Sequence, residues 1–210
     1  MRKLFSQESP LFQFLSFLAD LMVLTVMWLI SCIPVVTIGA ANTALYSCVI
    51  KMRKGEGVKP ILDFWTAFKS NFAQATALWG ITVLLLGTVL ADLYLVFFTD
   101  FEPGTVVKLL MLVLAFVMAM VILYIFPLQA YFINNVRNTL KNAVLLCVMY
   151  LPVSIVIAAI NAIPFFVWLL FPDFLYRTSF LWLVLGGGVI AYVCSGMFCR
   201  IFQRHITQQP

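Results

Sequence analysis

Ser31-Cys-Ile-Pro34-Val-Val-Thr37-Ile-Gly39-Ala-Ala-Asn42-Thr43-Ala-Leu-Tyr46, followed by Lys51-Met-Arg53-Lys54-Gly-Glu56-Gly57, decides how this chain folds. It joins an apolar helix interrupted at Pro34 and Gly39, a short apolar segment, and the densest positive cluster in the sequence. Proline cannot donate to a helix ladder and glycine adopts turns cheaply, so a break is expected between them, near the far side of a membrane. Ala40 to Met52 then returns. That return rises only ~20 Å, short of a ~30 Å hydrocarbon core. A short broken segment must be shielded by other helices, because lipid cannot satisfy free backbone groups.

Composition fixes the solvent. Of the 210 residues 64% are hydrophobic and only 10% are charged, with a mean hydropathy of +1.07. A soluble domain is about half apolar and about a quarter charged. Several runs exceed the ~18 apolar residues that read as a membrane span. They are continuous rather than alternating, which excludes a transmembrane barrel. The fold class is therefore all-α: a polytopic helical membrane bundle forming a single integral membrane domain over residues 1–210, with the lipid bilayer as its partner. The net charge of +5 and the pI near 9.0 come from cations at helix ends. They read as orientation signals rather than as a nucleic-acid surface.

Working outward, Phe14 to Ser31 is the first span. Lys51 to Asn71 forms an inner loop with Gly55 and Gly57 at its turn. Pro60 suits the first position of a helix. Ile61, Leu62, Phe64, Trp65, Phe68 and Phe72 then share a helical face, predicting an amphipathic helix near residues 60–70 at the interface. Its alternative use is as a docking helix for a partner protein, with Phe64, Trp65, Phe68 and Lys69 as the contact face. Further spans follow over 72–98, 106–133, 143–171 and 180–201. A tight turn at 99–104 and a second one at 172–177 face outward, and 134–142 forms an inner loop.

This makes six membrane segments, the second short and preceded by a Pro/Gly break, plus one interfacial helix. With both termini inside, eleven of the thirteen cations are internal, leaving Lys108 and Arg177 outside. If residues 14–52 crossed only once, Arg2 and Lys3 would move outside. The positive-inside rule therefore selects six segments with both termini cytoplasmic. The run from Leu21 to Ile38 is longer than the ~7–15 apolar residues of a cleaved signal, so the first helix is expected to be retained.

Small residues at four-residue spacing mark helix contacts. Gly187, Ala191 and Ser195 offer one such seam, and Gly80, Gly87 and Ala91 offer another. Gly186-Gly-Gly188 lacks the Lys and Ser/Thr of a phosphate loop.

The sequence carries no catalytic constellation. His205 is the one histidine, and it stands in the terminal tail. No paired carboxylates share a helix face, and no Ser/His/Asp set can be built within the spans. The five cysteines lie inside apolar segments without metal-ligand spacing and read as buried thiols. No enzyme, cofactor or metal is expected. Asp92 stands ~9 Å from the outer end of its helix, a depth at which a carboxylate faces a cavity or a partner. It reads either as a cation or proton site or as the ion-pair partner of Lys108. Thr37, Asn42, Thr43, Gln129 and Asn161 complete a candidate polar cavity of the kind transporters build at broken helices. They serve equally as interhelical hydrogen bonds.

Pro34-Val-Val-Thr-Ile-Gly39, Thr43-Ala-Leu-Tyr46, Gly55-Glu56, Asp63-Phe64-Trp65, Ala67-Phe68-Lys69 and Asn71-Phe72-Ala-Gln74-Ala75 together resemble the YesL-like bacterial integral membrane family, which carries domain of unknown function 624. Phe126-Pro127-Leu128 and Leu140-Lys141-Asn142-Ala143 extend the similarity. The family pattern has Gly-Pro where this chain has Gly39-Ala40, which implies a softer turn here. The resemblance implies a small multi-pass protein of the bacterial plasma membrane. Such proteins often occur in gene neighbourhoods of carbohydrate ABC importers and glycan-degrading enzymes. It assigns no catalytic residue. The function expected is that of a non-enzymatic accessory or regulatory membrane protein linked to carbohydrate uptake, with ABC importer subunits as partners and no nucleic acid. The alternative is a small-solute transporter or channel with a polar path through the bundle.

Overall fold

A computed structural model describes residues 10–98, 104–132 and 135–207. Every regular element among them is helical. Helix α1 runs over Pro10–Ser31, α2 over Ile38–Arg53, α3 over Pro60–Phe98 and α4 over Thr105–Tyr131. Helix α5 spans Val136–Met149, α6 Leu151–Leu170, α7 Pro172–Leu181 and α8 Gly187–Thr207. A 3-10 turn, Val35–Thr37, leads into α2, and a π-helical turn, Trp182–Gly186, joins α7 to α8. Six segments are long and apolar enough to cross a membrane: Pro10–Ser31, Val35–Arg53, Pro60–Val96, Thr105–Tyr131, Leu151–Leu170 and Arg177–Arg204. The protein is an all-α bundle with six membrane segments. Arg2 and Lys3, on which the charge count turned, lie outside the described residues, as do the outer turn at 99–103 and the end of the tail.

The break falls where Pro34 requires it. Helix α1 stops at Ser31, and Pro34 is extended at φ −76°, ψ 120°. The Thr37 hydroxyl donates to the Ser31 carbonyl, which the interrupted ladder has freed, and to the Pro34 carbonyl, which also accepts the Thr37 N–H at 3.0 Å. Gly39, however, is not a turn residue. It sits in the first turn of α2, and the positive-φ glycine among the described residues is Gly55, at φ 74°. A Cβ at Gly39 would collide with the Ala75 carbonyl oxygen and come within 2.7 Å of the Trp79 Cβ. The glycine is required for the close approach of α2 to α3.

The expected separate interfacial helix is instead the first part of α3, which continues for 39 residues without a break. The polar Lys69-Ser-Asn71 stretch suggested a boundary there. In the structure Ser70 Oγ donates to the Ala67 carbonyl at 3.1 Å and Asn71 Nδ2 to the same carbonyl at 3.0 Å. Polar groups satisfied on the helix's own backbone do not interrupt it. The expected 143–171 span divides at Tyr150 into α5 and α6, with Pro152 in the first turn of α6, where its missing N–H costs nothing. Residues 172–177, expected to turn, begin α7 instead.

Lipid tails are as apolar as leucine, so helices associate through close packing and hydrogen bonds rather than hydrophobic burial. Helix α2 is the centre of that packing and touches α1, α3, α4 and α8. Half of its segment is buried, against 11–33% for the other five. On one side of it Leu21, Leu24, Leu45, Val49, Phe64 and Ala191 form a cluster. On the other, Leu78, Tyr124, Leu128, Leu146, Phe198 and Phe202 form a second. Tyr46 packs against both.

The Gly187 seam is a real contact. A Cβ at Gly187 would stand 3.0 Å from the Trp28 ring, and the Gly188 N–H donates to Thr25 Oγ1 at 3.0 Å. Ala191 and Ser195 continue it as buried residues. The Gly80 seam is not. A Cβ at Gly80 or Gly87 meets nothing within 4 Å, and Leu84 and Leu90 beside them are exposed.

Candidate functional site

The six residues of the candidate polar cavity do not converge. Thr37 is committed to the break described above. The Trp28 Nε1–H donates to Asn42 Oδ1 at 3.1 Å, tying α1 to α2. Thr43 donates to the Gly39 carbonyl at 3.0 Å within α2. Asn161 Nδ2 donates to the Ile157 carbonyl at 2.8 Å and lies 3.4 Å from Cys194 Sγ, linking α6 to α8. Asp92 is half-buried on α3. It makes no ion pair with Lys108; the ion pair among the described residues is Lys51 to Asp63, at 3.2 Å. All five cysteines are free, four of them buried.

Gln129 is the member with the most connections. It is buried on α4, one residue past the Pro127-Leu128 pair. Its Nε2 donates to Gln74 Oε1 of α3 at 2.6 Å, and its Oε1 accepts from Thr139 Oγ1 of α5 at 2.9 Å. Three helices are joined by one side chain. Gln129→Leu is expected to orphan the buried Thr139 hydroxyl and lower stability by about 1 kcal/mol. Thermal melting of the purified protein checks this, and an unchanged midpoint would mean that the chain of bonds contributes nothing.

A second assembly was missed because its residues looked like a topogenic cluster. The three cations at the end of α2 reach three different helices. Lys51 pairs with Asp63 of α3, whose other oxygen accepts the Lys59 N–H at 2.7 Å. Arg53 donates Nε to Ser195 Oγ at 3.1 Å and Nη2 to the Tyr192 carbonyl of α8. Its guanidinium also lies 4.2 Å from the centroid of the Tyr192 ring. Lys54 Nζ stands 4.8 Å from the Tyr131 ring of α4. A Cβ at Gly196 would come within 2.9 Å of the guanidinium carbon, so the missing side chain makes room for it. The available signal was the one-residue spacing of Arg53 and Lys54, which sends neighbouring side chains to different sides of a helix.

The expected contact face on α3 is partly formed. Phe64 leaves it, since its side chain is fully buried against the α2 cluster. Trp65 is 44% exposed and stacks on the half-buried Phe68, ring centroids 5.2 Å apart and planes within 7°. Phe68 meets Phe72 at 5.6 Å, and Lys69 Nζ stands 5.7 Å from the Trp65 ring. An exposed aromatic strip with one cation results. Beside it, Ser47, Thr66, Ser70 and Asn71 line a polar cleft of 250 Å³ between α2 and α3. A larger cleft of 730 Å³ lies between the start of α1 and the loop after α2, with Asp20 and Glu56 on its walls. Among the described residues no three of His, Cys, Asp or Glu gather closely enough to hold a metal ion.

Comparison with known proteins places these residues. The model of a family described as "Protein of unknown function, DUF624" matches residues 21–93, from α1 through α2 and most of α3. The "Uncharacterized protein YteU" of Bacillus subtilis (strain 168) is 26% identical over 127 residues, which is 60% of this chain and 57% of YteU. The chain thus matches little more than half of that relative's length. No solved structure matches. The expectation of a domain of unknown function 624 is borne out at that level, while the finer YesL-like likeness rests on the quoted motifs alone.

Proposed function

Residues 21–93 carry the DUF624 signature, and on that premise we propose that the protein is a non-enzymatic accessory or regulatory component of the bacterial plasma membrane. It works by contact with a partner membrane protein rather than by passing a solute. The observation behind this reading is that five of the six candidate cavity residues are engaged in separate hydrogen bonds, while the aromatic strip on α3 is left exposed. Exposed tryptophan with adjacent cationic and aromatic neighbours is the composition of an interface anchor. Both termini are placed in the cytoplasm on the charge count. The link to carbohydrate uptake, with ABC importer subunits as partner, follows from the family resemblance.

Affinity purification from native membranes in mild detergent tests the proposal. ABC importer subunits are expected to co-purify with the full chain. Recovery should fall roughly tenfold or more in a Trp65→Ala, Lys69→Glu variant, the loss typical of a hot-spot tryptophan. A clean monomer that moves a sugar or an ion in liposomes would establish the transporter class instead.

A further inference from the structure

The start of α6 and the second half of α8 line an open cleft of 430 Å³. Val153, Val156 and Met197 give it an apolar lining, and Tyr150, Arg200 and Arg204 add polar groups to it. The two arginines are four residues apart and so share one face of α8. Both are exposed, and neither forms an ion pair among the described residues. The position of the cleft along the helices matters as much as its lining. The apolar run of α6 begins beside Tyr150 and lasts 20 residues. Arg200 is the first charge after the apolar stretch from Phe180 to Cys199. The cleft therefore straddles the level at which two helices leave the hydrocarbon. A planar guanidinium makes bidentate hydrogen bonds to phosphate, and basic pockets between membrane helices hold anionic headgroups.

The geometry points to a binding site for one anionic phospholipid, its phosphate between Arg200 and Arg204 and an acyl chain along the Val153–Val156 wall. A zwitterionic lipid such as phosphatidylcholine offers the same phosphate but brings a choline cation to a cleft that already holds two guanidinium groups, whereas an anionic lipid adds net negative charge there. Free phosphate would satisfy the arginines but leave the apolar wall empty. This site is independent of the partner face on α3.

Native mass spectrometry of the full chain in neutral detergent tests the assignment, with added phosphatidylglycerol, with phosphatidylcholine of the same chains, and with inorganic phosphate as competitor. Phosphatidylglycerol is expected to be retained roughly tenfold over phosphatidylcholine. Millimolar inorganic phosphate should not displace it. An Arg200→Gln, Arg204→Gln variant should reduce retention to the phosphatidylcholine level. Val156→Trp alters an already exposed position and should obstruct the wall, lowering retention with both arginines in place. Equal retention of the two lipids, full displacement by phosphate, or indifference to both variants would overturn the proposal.

Discussion

A Gly39→Ala variant will melt about 6–12 °C below the parent protein and will express poorly. The methyl group has no room. It meets the Ala75 carbonyl oxygen and the Trp79 Cβ at 2.7 Å. Both belong to the rigid backbone region of α3, so relief requires moving one helix away from the other. Overpacking of this kind costs about 3 kcal/mol, and each kcal/mol shifts the midpoint of a domain of this size by about 2–4 °C. Gly80→Ala is the control. Its added methyl meets nothing within 4 Å, and alanine is the better helix former by about 1 kcal/mol, so that variant should be neutral or slightly stabilised. Equal melting of the two variants would show that α2 does not rest on α3 at Gly39.

Arg53→Ala is the second large effect. It removes a donor to Ser195 Oγ, a donor to the Tyr192 carbonyl and a cation over the Tyr192 ring. Hydrogen bonds from a charged group contribute about 1.5–3 kcal/mol when shielded and the ring contact about 0.5–1 kcal/mol, but Arg53 is exposed and solvent screens it, so a loss of about 1–2 kcal/mol is expected. Arg53→Lys separates packing from orientation. Lysine keeps the charge that the positive-inside rule counts, but it cannot reproduce the planar fork over the ring. Terminal reporter tags should therefore give the parental orientation in Arg53→Lys while its melting midpoint stays low. Full stability in the lysine variant would reduce the residue to its charge.

These two residues also show how far the sequence could be read. Pro34 announced the break because its constraint is local, a missing donor and a fixed φ, although α4 and α6 continue through Pro127 and Pro164. The spans were legible for the same kind of reason, since twenty apolar residues have one economical use. Gly39 was misread as a turn because glycine's two virtues, free torsions and absent bulk, look alike on paper. Only the neighbouring Ala75 and Trp79 tell them apart. The continuation of α3 through Lys69-Ser-Asn71 was hidden because those polar groups find acceptors on their own helix. The polar residues were correctly suspected of pairing, yet which pairs form could not be read. Gln129 meets Gln74 across 55 positions and Thr139 across 10, distances that only tertiary structure closes. The contact face was half legible: helical spacing grouped Phe64 with Trp65, but burial by α2 withdrew Phe64.

The anchoring of α2 also sets the order of assembly during synthesis. Arg53 and Ser195 are separated by 142 residues. At about 5–20 residues per second, the ribosome delivers the partner of Arg53 roughly 7–28 s after Arg53 itself. Lys51 meets Asp63 almost at once, because only 12 positions separate them. The Arg53 guanidinium therefore waits for these partners until α8 arrives. The hydrogen bonds that tie the end of α2 to α8 can form only once α8 has been made.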